Sequence, residues 1–226
     1  MAACVPPGAI AVAGVEMKGL RGSPLFQQVQ DLLGNVPVLE QATDGLVAWN
    51  GNEFAAAVRG NFTTPPSGVT KLEPGLVVFG RWASAAQAQH ARAQPGEPLL
   101  IERAGSVARQ WPVWAVFTGG RSLPLTGNAA NLNRLLRATD FATLAARPTD
   151  GIDLVASGYS PTSTEAVRLE ETVRALITLT AGAGRNRDLA SLIGTATLAR
   201  ADRTVTLSLH VPPALAAQAL RSLFLK

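Results

Sequence analysis

A turn-and-strand pattern that occurs twice constrains the fold of this chain more than any other feature. The first copy runs from Asp44 to Gly51 and leads into an apolar stretch from Phe54 to Gly60. The second copy runs from Phe141 to Gly151 and leads into Ile152 to Gly158. In both, an Asn-Gly or Asp-Gly pair separates two apolar runs, a combination that favours antiparallel hairpins. The chain is therefore predicted to contain a duplicated unit.

The duplication predicts a first repeat over residues 9–110 and a second repeat over residues 111–226, with residues 1–8 as an N-terminal tail. Each repeat has the predicted order β-α-β-β followed by a strand and a helix, which is the order of a ferredoxin-like unit with additions. We expect an α+β fold whose mostly antiparallel sheet carries its helices on one face. Residues 95–110 show no clear preference for strand or helix.

Local signals place the first helices of both repeats. Ser23 can accept a hydrogen bond from an unpaired amide as N-cap, and Gly34 suits the left-handed end of the helix that follows. The corresponding helix of the second repeat is predicted over residues 128–137. A longer helix is opened by Thr162 with Glu165 three residues on, a reciprocal capping box.

Composition limits the classes of protein that this chain can belong to. The chain has 226 residues, of which 47% are hydrophobic, so it can bury a substantial core without disulfides. No apolar run reaches the roughly 18 residues that a membrane-spanning helix needs, so no transmembrane segment is predicted. Basic residues exceed acidic ones by four. Because the aromatic and basic pattern of an RNA-binding sheet is present only in fragments, nucleic-acid binding is disfavoured.

The single cysteine, Cys4, follows Met1-Ala2-Ala3, which matches the small-residue end of a bacterial lipoprotein signal. On this interpretation Cys4 is the site of lipidation and the chain is lipid-anchored. The alternative is an alanine-rich start without this role. A lone cysteine excludes an internal disulfide and a multi-cysteine metal site.

Residues that commonly carry catalysis are sparse. His90 falls on a predicted polar helix and His210 at the end of an alternating strand, and neither lies in a pattern with a nucleophile or carboxylate. No nucleophile elbow, metal-ligand spacing or dinucleotide fingerprint is present, so no catalytic residue, metal or cofactor is predicted. The sequence leans towards a protein that is not an enzyme.

Two residue groups remain as candidates for binding. Arginines near the end of the chain offer donors to an anion, and a glycine-rich run before a helix adds backbone amides: Arg185, Arg187, Arg200 and Arg203. Four tryptophans lie at predicted strand ends or beside a proline, where they form either an interaction patch or the packing between repeats: Trp49, Trp82, Trp111 and Trp114. Packing is the favoured interpretation for the tryptophans.

Val12 to Glu16, followed by Leu20 to Leu25, resembles the opening of a group of uncharacterised exported bacterial proteins. The resemblance implies an extracytoplasmic location, periplasmic or lipid-anchored, over a cytoplasmic one. It implies no activity and no site residues.

These observations favour a non-catalytic extracytoplasmic module for binding or structure. One alternative is an enzyme whose site assembles between the repeats from scattered Asp, Arg and Ser residues. The other is binding of an anion or nucleic acid through the arginines. The ligand and the partner are not specified by the sequence.

Overall fold

The protein has a mixed α+β fold with one large antiparallel sheet. A computed structural model describes residues 1–24, 26, 37–62, 68–120, 132–182 and 187–224. The strands are β1 Ala11–Glu16, β2 Ala42–Trp49, β3 Phe54–Gly60, β4 Thr70–Glu73, β5 Leu76–Phe79, β6 Val113–Thr118, β7 Phe141–Pro148, β8 Ile152–Tyr159, β9 Thr197–Ala201 and β10 Thr204–Val211.

The ten strands follow the order β4-β5-β3-β2-β1-β6-β7-β8-β10-β9, and every neighbouring pair is antiparallel. The pair β1–β6 is the centre of the sheet. Outwards from this pair, each half has its first, second and third strands in chain order, followed by its fifth and then its fourth. The two halves therefore form a single sheet with the same strand order on both sides.

The ferredoxin-like part of the prediction is not confirmed. A ferredoxin-like β-α-β unit joins two parallel strands through a crossover helix. Here β1 and β2 are antiparallel neighbours, and so are β6 and β7. The helical segments between them return the chain to the adjacent strand.

Helices cover both faces of the sheet, so the expectation of helices on one face is wrong. Among the described residues they are α1 Met17–Arg21, α2 Pro37–Gln41, α3 Ala83–Ala91, α4 Pro98–Ala108, α5 Leu132–Arg137, α6 Ser163–Gly182, α7 Arg187–Gly194 and α8 Pro213–Phe224, preceded by a short 3-10 helix at Ala2–Cys4. Because side chains alternate along a strand, one row of residues defines each face. Face 1 carries Val12, Ala48 and Ala55, and face 2 carries Ala13, Val47 and Ala56.

Face 1 is covered by segments of the first half. Leu100 and Ala104 of α4 pack on Val12 and Val116, while Ala86 of α3 packs on β3 and β5. Residues 1–8, which were predicted to form a tail, contribute to this core together with Ala9. Val5 is fully buried, its carbonyl accepts the amide of Gly96 at 2.8 Å, and the amide of Gly8 donates to the Glu97 carboxylate at 2.6 Å.

Face 2 is covered by helices of both halves. Val38 of α2 packs with Val58 and Val77 in the first half. In the second half, α5 and α6 cover one end of the strands, and α7 and α8 cover the other end around Leu209 and Val211.

Several local predictions are confirmed. The amide of Phe26 donates to Ser23 Oγ at 3.2 Å, and the amide of Glu165 donates to Thr162 Oγ1 at 3.2 Å. The helix predicted to end at Gly34 lies outside the described residues. The ambiguous stretch 95–110 contains α4, which begins at Pro98. Asn50-Gly51 belongs to a four-residue connection, in which Asn50 Oδ1 accepts two amides, and not to a two-residue turn.

Gly14 and Trp114 lie opposite each other at the joint between the halves, on face 1. A Cβ atom at position 14 would overlap the indole ring of Trp114. The missing side chain allows the indole ring to lie flat against β1 beneath α4, where it packs with Val12 and Val116. The central strand pair thus depends on a glycine and a large aromatic residue that complement each other.

Replacing Gly14 with alanine should destabilise the protein. The rigid indole cannot move without disturbing the packing beneath α4, so we expect the free energy of unfolding to fall by about 1–3 kcal/mol. Urea denaturation followed by circular dichroism measures this change. Gly105→Ala is the matched control, since a Cβ there meets no atom within 4 Å and lies on α4. It should stabilise the protein by about 0.5–1 kcal/mol, and an equal loss in both variants would contradict the role of Gly14.

Candidate functional site

An apolar cavity of about 440 Å³ lies between face 2 of the second half and the helices α5 and α6. Ligand sites in proteins commonly have volumes of about 300–1,000 Å³. This cavity is therefore large enough for a small molecule.

Small side chains on β7 and β8 create the space. Ala142 lies opposite Gly158, and Leu144 lies opposite Ala156, so three of these four inward positions have at most one side-chain carbon. At Gly158 the helix α6 approaches closely, because a Cβ there would lie 2.8 Å from the Leu169 side chain. Next to this contact, at Ala142 and Ala156, the helices do not fill the gap that the small residues leave.

Leucine and valine side chains of the two helices form the roof of the cavity. Leu135 and Leu136 come from α5, and Leu169 and Val173 come from α6. The remaining walls are Trp49 and Phe117 at the seam, and Val205, Leu207 and Leu198 towards the sheet edge.

An ion pair joins α6 to the edge strand next to the cavity. The Glu170 carboxylate binds Arg200 of β9 at 2.9 Å and Arg174 of its own helix at 2.8 Å. Hydrogen bonds from Arg174 and then from Arg200 hold the pKa of the Glu170 carboxyl below its usual value. Glu170 therefore remains charged at neutral pH and links β9 to α6, the helix that carries the lining residues Leu169 and Val173.

The exposed end of the lining lies at the seam between the halves. Leu144 is 43% exposed and Val47 is 38% exposed, although both are large apolar residues. On face 2 the residues between them are Ala13 and Ala115, in a row that runs Val47, Ala13, Ala115, Leu144. An apolar strip thus leads from the cavity across the centre of the sheet.

The lining of the cavity is predominantly apolar. No charged side chain lines the cavity, and the Thr139 hydroxyl donates to the Leu136 carbonyl at 2.9 Å. Thr143 and Ser157 contribute to the lining, but their side chains lie on face 1, where Ser157 Oγ and Thr206 Oγ1 are 3.1 Å apart. Within the described ranges no cluster of His, Cys, Asp and Glu could hold a metal ion. Such a lining can take up apolar groups by excluding water.

A second, more open depression of about 530 Å³ lies at one end of the seam. Its lining is Glu16, Lys18, Gly19, Gly22, Ser23, Pro24, Pro148 and Thr149. Thr149 Oγ1 is buried without a hydrogen-bond partner, so it has no neighbouring base that would activate it. The hypothesis of an enzyme between the repeats gains no nucleophile from this depression.

Both histidines have carboxylate neighbours but no arrangement for catalysis. His210 Nδ1 lies 2.7 Å from Asp153 Oδ1, and this hydrogen bond raises the pKa of the His210 imidazole. His90 Nδ1 lies 3.7 Å from Cys4 Sγ. Burial raises the pKa of the Cys4 thiol, which keeps it protonated and unreactive.

Cys4 itself is 2% exposed and packs against Ala55, Leu76 and Ala86 in the core of face 1. An acyl group on its sulfur has no space there. Lipidation at Cys4 stays a prediction, and it requires the N-terminal segment to leave this core.

The structure does not gather the candidate tryptophans into one patch. Trp82 and Trp114 pack in the core of face 1, and Trp49 lies on face 2 in the cavity wall. Trp111 lies under the Arg147 guanidinium, which is 4.6 Å from the ring centroid. Of the four, Trp49 alone lines the cavity.

The candidate arginines are also dispersed. Arg185 lies outside the described residues, and Arg187 begins α7. Arg200 is bound to Glu170, and Arg203 donates to the Pro161 carbonyl at 3.3 Å. Anion binding by these residues stays a prediction.

The sequence patterns missed most of the cavity floor: Ala142, Leu144, Ala156 and Leu207. The available signal was the alternation along β7, β8 and β10, which identifies the residues on one face. Small residues at neighbouring inward positions were the sign of space, and they become neighbours only once the strand register is known.

Comparison with known proteins adds information on the fold. No protein-family model and no curated protein matches this sequence. Crystal form I of TP0453 matches with a TM-score of 0.58 and 11% identity, over 98% of this chain and 97% of that chain. Crystal form III of TP0453 matches with a TM-score of 0.55 and 11% identity, over 97% of each chain. Crystal form IV matches with a TM-score of 0.55 and 10% identity, over 96% of this chain and 95% of that chain. Identity this low shows a similar fold and nothing further.

The pKa of His210 provides a test of the geometry around Asp153. Because the protonated imidazole is favoured in the folded protein, this pair stabilises the fold fully below the ordinary pKa of histidine, and the contribution is lost as the pH rises through the raised value. In Asp153→Asn we expect the pKa to return towards the ordinary value, as measured by NMR titration of the imidazole. Asp202→Asn, in the β9–β10 turn, should leave it unchanged. An unaltered titration in Asp153→Asn would show that the hydrogen bond is absent.

Proposed function

We propose that this protein binds an apolar molecule, or the apolar part of an amphiphile, in the cavity beneath α5 and α6. The observation that carries this proposal is a cavity of about 440 Å³ walled by leucine, valine and aromatic side chains. An unfilled apolar cavity is costly, since every wall atom that lacks a neighbour loses dispersion contacts. A ligand that fills the space restores these contacts.

A binding role agrees with the dispersed titratable groups described above. The alternative enzyme between the repeats has no support from the open depression at the seam. Anion binding through Arg200 and Arg203 is also less favoured, because both side chains already have partners.

We infer in addition that the protein acts outside the cytoplasm and that its two halves arose by duplication. The N-terminal resemblance supports the location, and the shared strand order of the halves supports the duplication. No described helix has the length and hydropathy to cross a membrane. Superposition of residues 9–62 on residues 112–160 tests the duplication, and unrelated backbone paths would exclude it.

Filling the cavity should weaken binding. Ala156 points into the cavity from β8, so Ala156→Phe should lower the affinity for Nile red, an uncharged dye that fluoresces in apolar surroundings, by at least about tenfold, or 1.4 kcal/mol. Val155→Phe is the matched control, because the neighbouring side chain points to face 1. Fluorescence titration measures both affinities. Equal affinities in the two variants would contradict binding in the cavity.

The chain length of a series of n-alkanols gives a second readout. Each buried methylene contributes about 0.8 kcal/mol, so the ability to displace Nile red should rise roughly fourfold for each added methylene until the chain fills the space. In Ala156→Phe the increase should stop at a shorter chain. Displacement that does not depend on chain length would exclude an apolar site.

The proposed lipid anchor is tested by metabolic labelling with radioactive palmitate in a bacterial host. If Cys4 is lipidated, the wild-type chain becomes labelled and Cys4→Ser does not. Because the folded structure buries this sulfur, we expect the labelled protein to expose residues 1–9 to limited proteolysis. Absence of label in the wild type would remove the anchor from the proposal and leave the cavity unaffected.

A further inference from the structure

Beyond the cavity, the apolar strip on face 2 continues along the strand direction of the seam. After the row that contains Leu144, the next inward row is Val15, Val113 and Ala146, and all three are partly exposed. On one side of these strands lie α1 and α2, and on the other side lie α5 to α8. We call this strip of Leu144, Ala146, Val113 and Val15 the seam groove.

The seam groove leads to the open depression around Lys18 and Thr149. β1 and β7 both pair with β6 antiparallel, so they run in the same direction, and their last residues, Glu16 and Pro148, lie at the same end of the sheet. Both residues line the depression. At about 3.3 Å per residue, Pro148 is roughly 13 Å beyond Leu144 along β7. An elongated molecule is needed to occupy the cavity and the depression together.

The two ends of this path differ in chemistry. The cavity has no charged lining residue, whereas the depression contains the Lys18 ammonium and the unpartnered Thr149 Oγ1. Lys18 is exposed, and no ion pair within the described part of the chain involves it. A lysine without a carboxylate partner and a hydroxyl without an acceptor are both free to donate to an anion.

We propose that the ligand is an amphiphile with one apolar chain and a negatively charged head group, bound with its chain in the cavity and its head at Lys18 and Thr149. This inference rests on the proposed function of the cavity. The cavity volume lies near the lower limit of ligand sites, which favours one chain over two. Ala115, opposite Leu144, and Ala146, within the seam groove, have small side chains and leave a narrow track for the part of the chain between the cavity and the head group.

Glu16 sets the charge of the head group that the depression accepts. Its carboxylate lines the same depression and opposes a head group of high negative charge. A single negative charge is therefore favoured over a multiply charged head. Removing the Glu16 carboxylate should strengthen the binding of an anionic head.

The test compares hexadecanoate with hexadecanol, which share a chain and differ in head-group charge, as competitors of Nile red below their micelle-forming concentrations. In the wild type we expect hexadecanoate to bind more tightly than hexadecanol. Lys18→Gln should lower the affinity for hexadecanoate roughly two- to fivefold, which is the range for an exposed charge pair, and should leave the affinity for hexadecanol unchanged. Glu16→Gln should raise the affinity for hexadecanoate. Lys71→Gln, on β4 at the far edge of the sheet, is the matched control and should change neither ligand.

Each outcome decides one of the two proposals. If hexadecanol and Nile red bind but Lys18→Gln affects both competitors equally, the head-group site is wrong and the cavity stands. If Nile red and both competitors fail to bind the wild type, the cavity proposal fails and the head-group site fails with it. Hexadecyltrimethylammonium, which has a chain of the same length and a positively charged head group, is a third competitor. If it binds more tightly than hexadecanoate, the preference for a negatively charged head group is wrong. A higher salt concentration should lower the affinity for hexadecanoate and leave the affinity for hexadecanol unchanged, because ions screen only the charged head group.

Discussion

The pairing of β1 with β6 is the interaction on which the remaining structure depends. It converts two five-stranded arrangements into one continuous sheet and sets the direction of every other strand. On face 1 the indole ring of Trp114 packs directly against Gly14 of the paired strand. On face 2 the same strand pair carries only the small side chains of Ala13 and Ala115 at the neighbouring position. The same central pair therefore supports packing on one face and an open groove on the other.

The cavity follows from how large and small residues are distributed over face 2. In the first half, Val58, Val77 and Phe62 fill the space beneath the helices. In the second half, Ala142 lies opposite Gly158 on β7 and β8, and leucines of α5 and α6 form the roof of the cavity above the strands. Two halves with the same strand order thus differ in whether a cavity forms on face 2, because their inward residues differ in volume.

Much of the local structure was predictable, since its causes are local. Ser23 and Thr162 accept hydrogen bonds from amides three residues further along the chain, and the strand that ends near His210 follows from its alternation. The distribution of helices was not predictable in this way. α3 and α8 follow equivalent hairpins with a similar alanine-rich sequence, yet they pack on opposite faces. The face that a helix covers depends on the volume available on each side of the sheet, which no short segment encodes.

Less of the candidate site could be predicted from the sequence, because the site depends on how distant segments pack together. The roof residues Leu169 and Val173 belong to a stripe at helical spacing, which indicates burial but cannot distinguish a filled core from an empty one. Lys18 and Thr149 are separated by most of the chain and come together only because β1 and β7 end on the same side of β6. Trp49 was recognised as an aromatic at a strand end, but its place in the cavity wall required the position of α5.

The burial of residues 1–9 has a consequence for synthesis of the chain on the ribosome. Gly8 binds Glu97, and Cys4 lies against His90, contacts that span 89 and 86 positions of the chain respectively. At about 5–20 residues per second, these partners emerge roughly 4 to 18 seconds after the segment that they cover. During this interval Val5 and its apolar neighbours are exposed to solvent and to other molecules. Residues 1–9 are thus among the last of the first half to become buried, and a chaperone can bind them before α3 and α4 close over face 1.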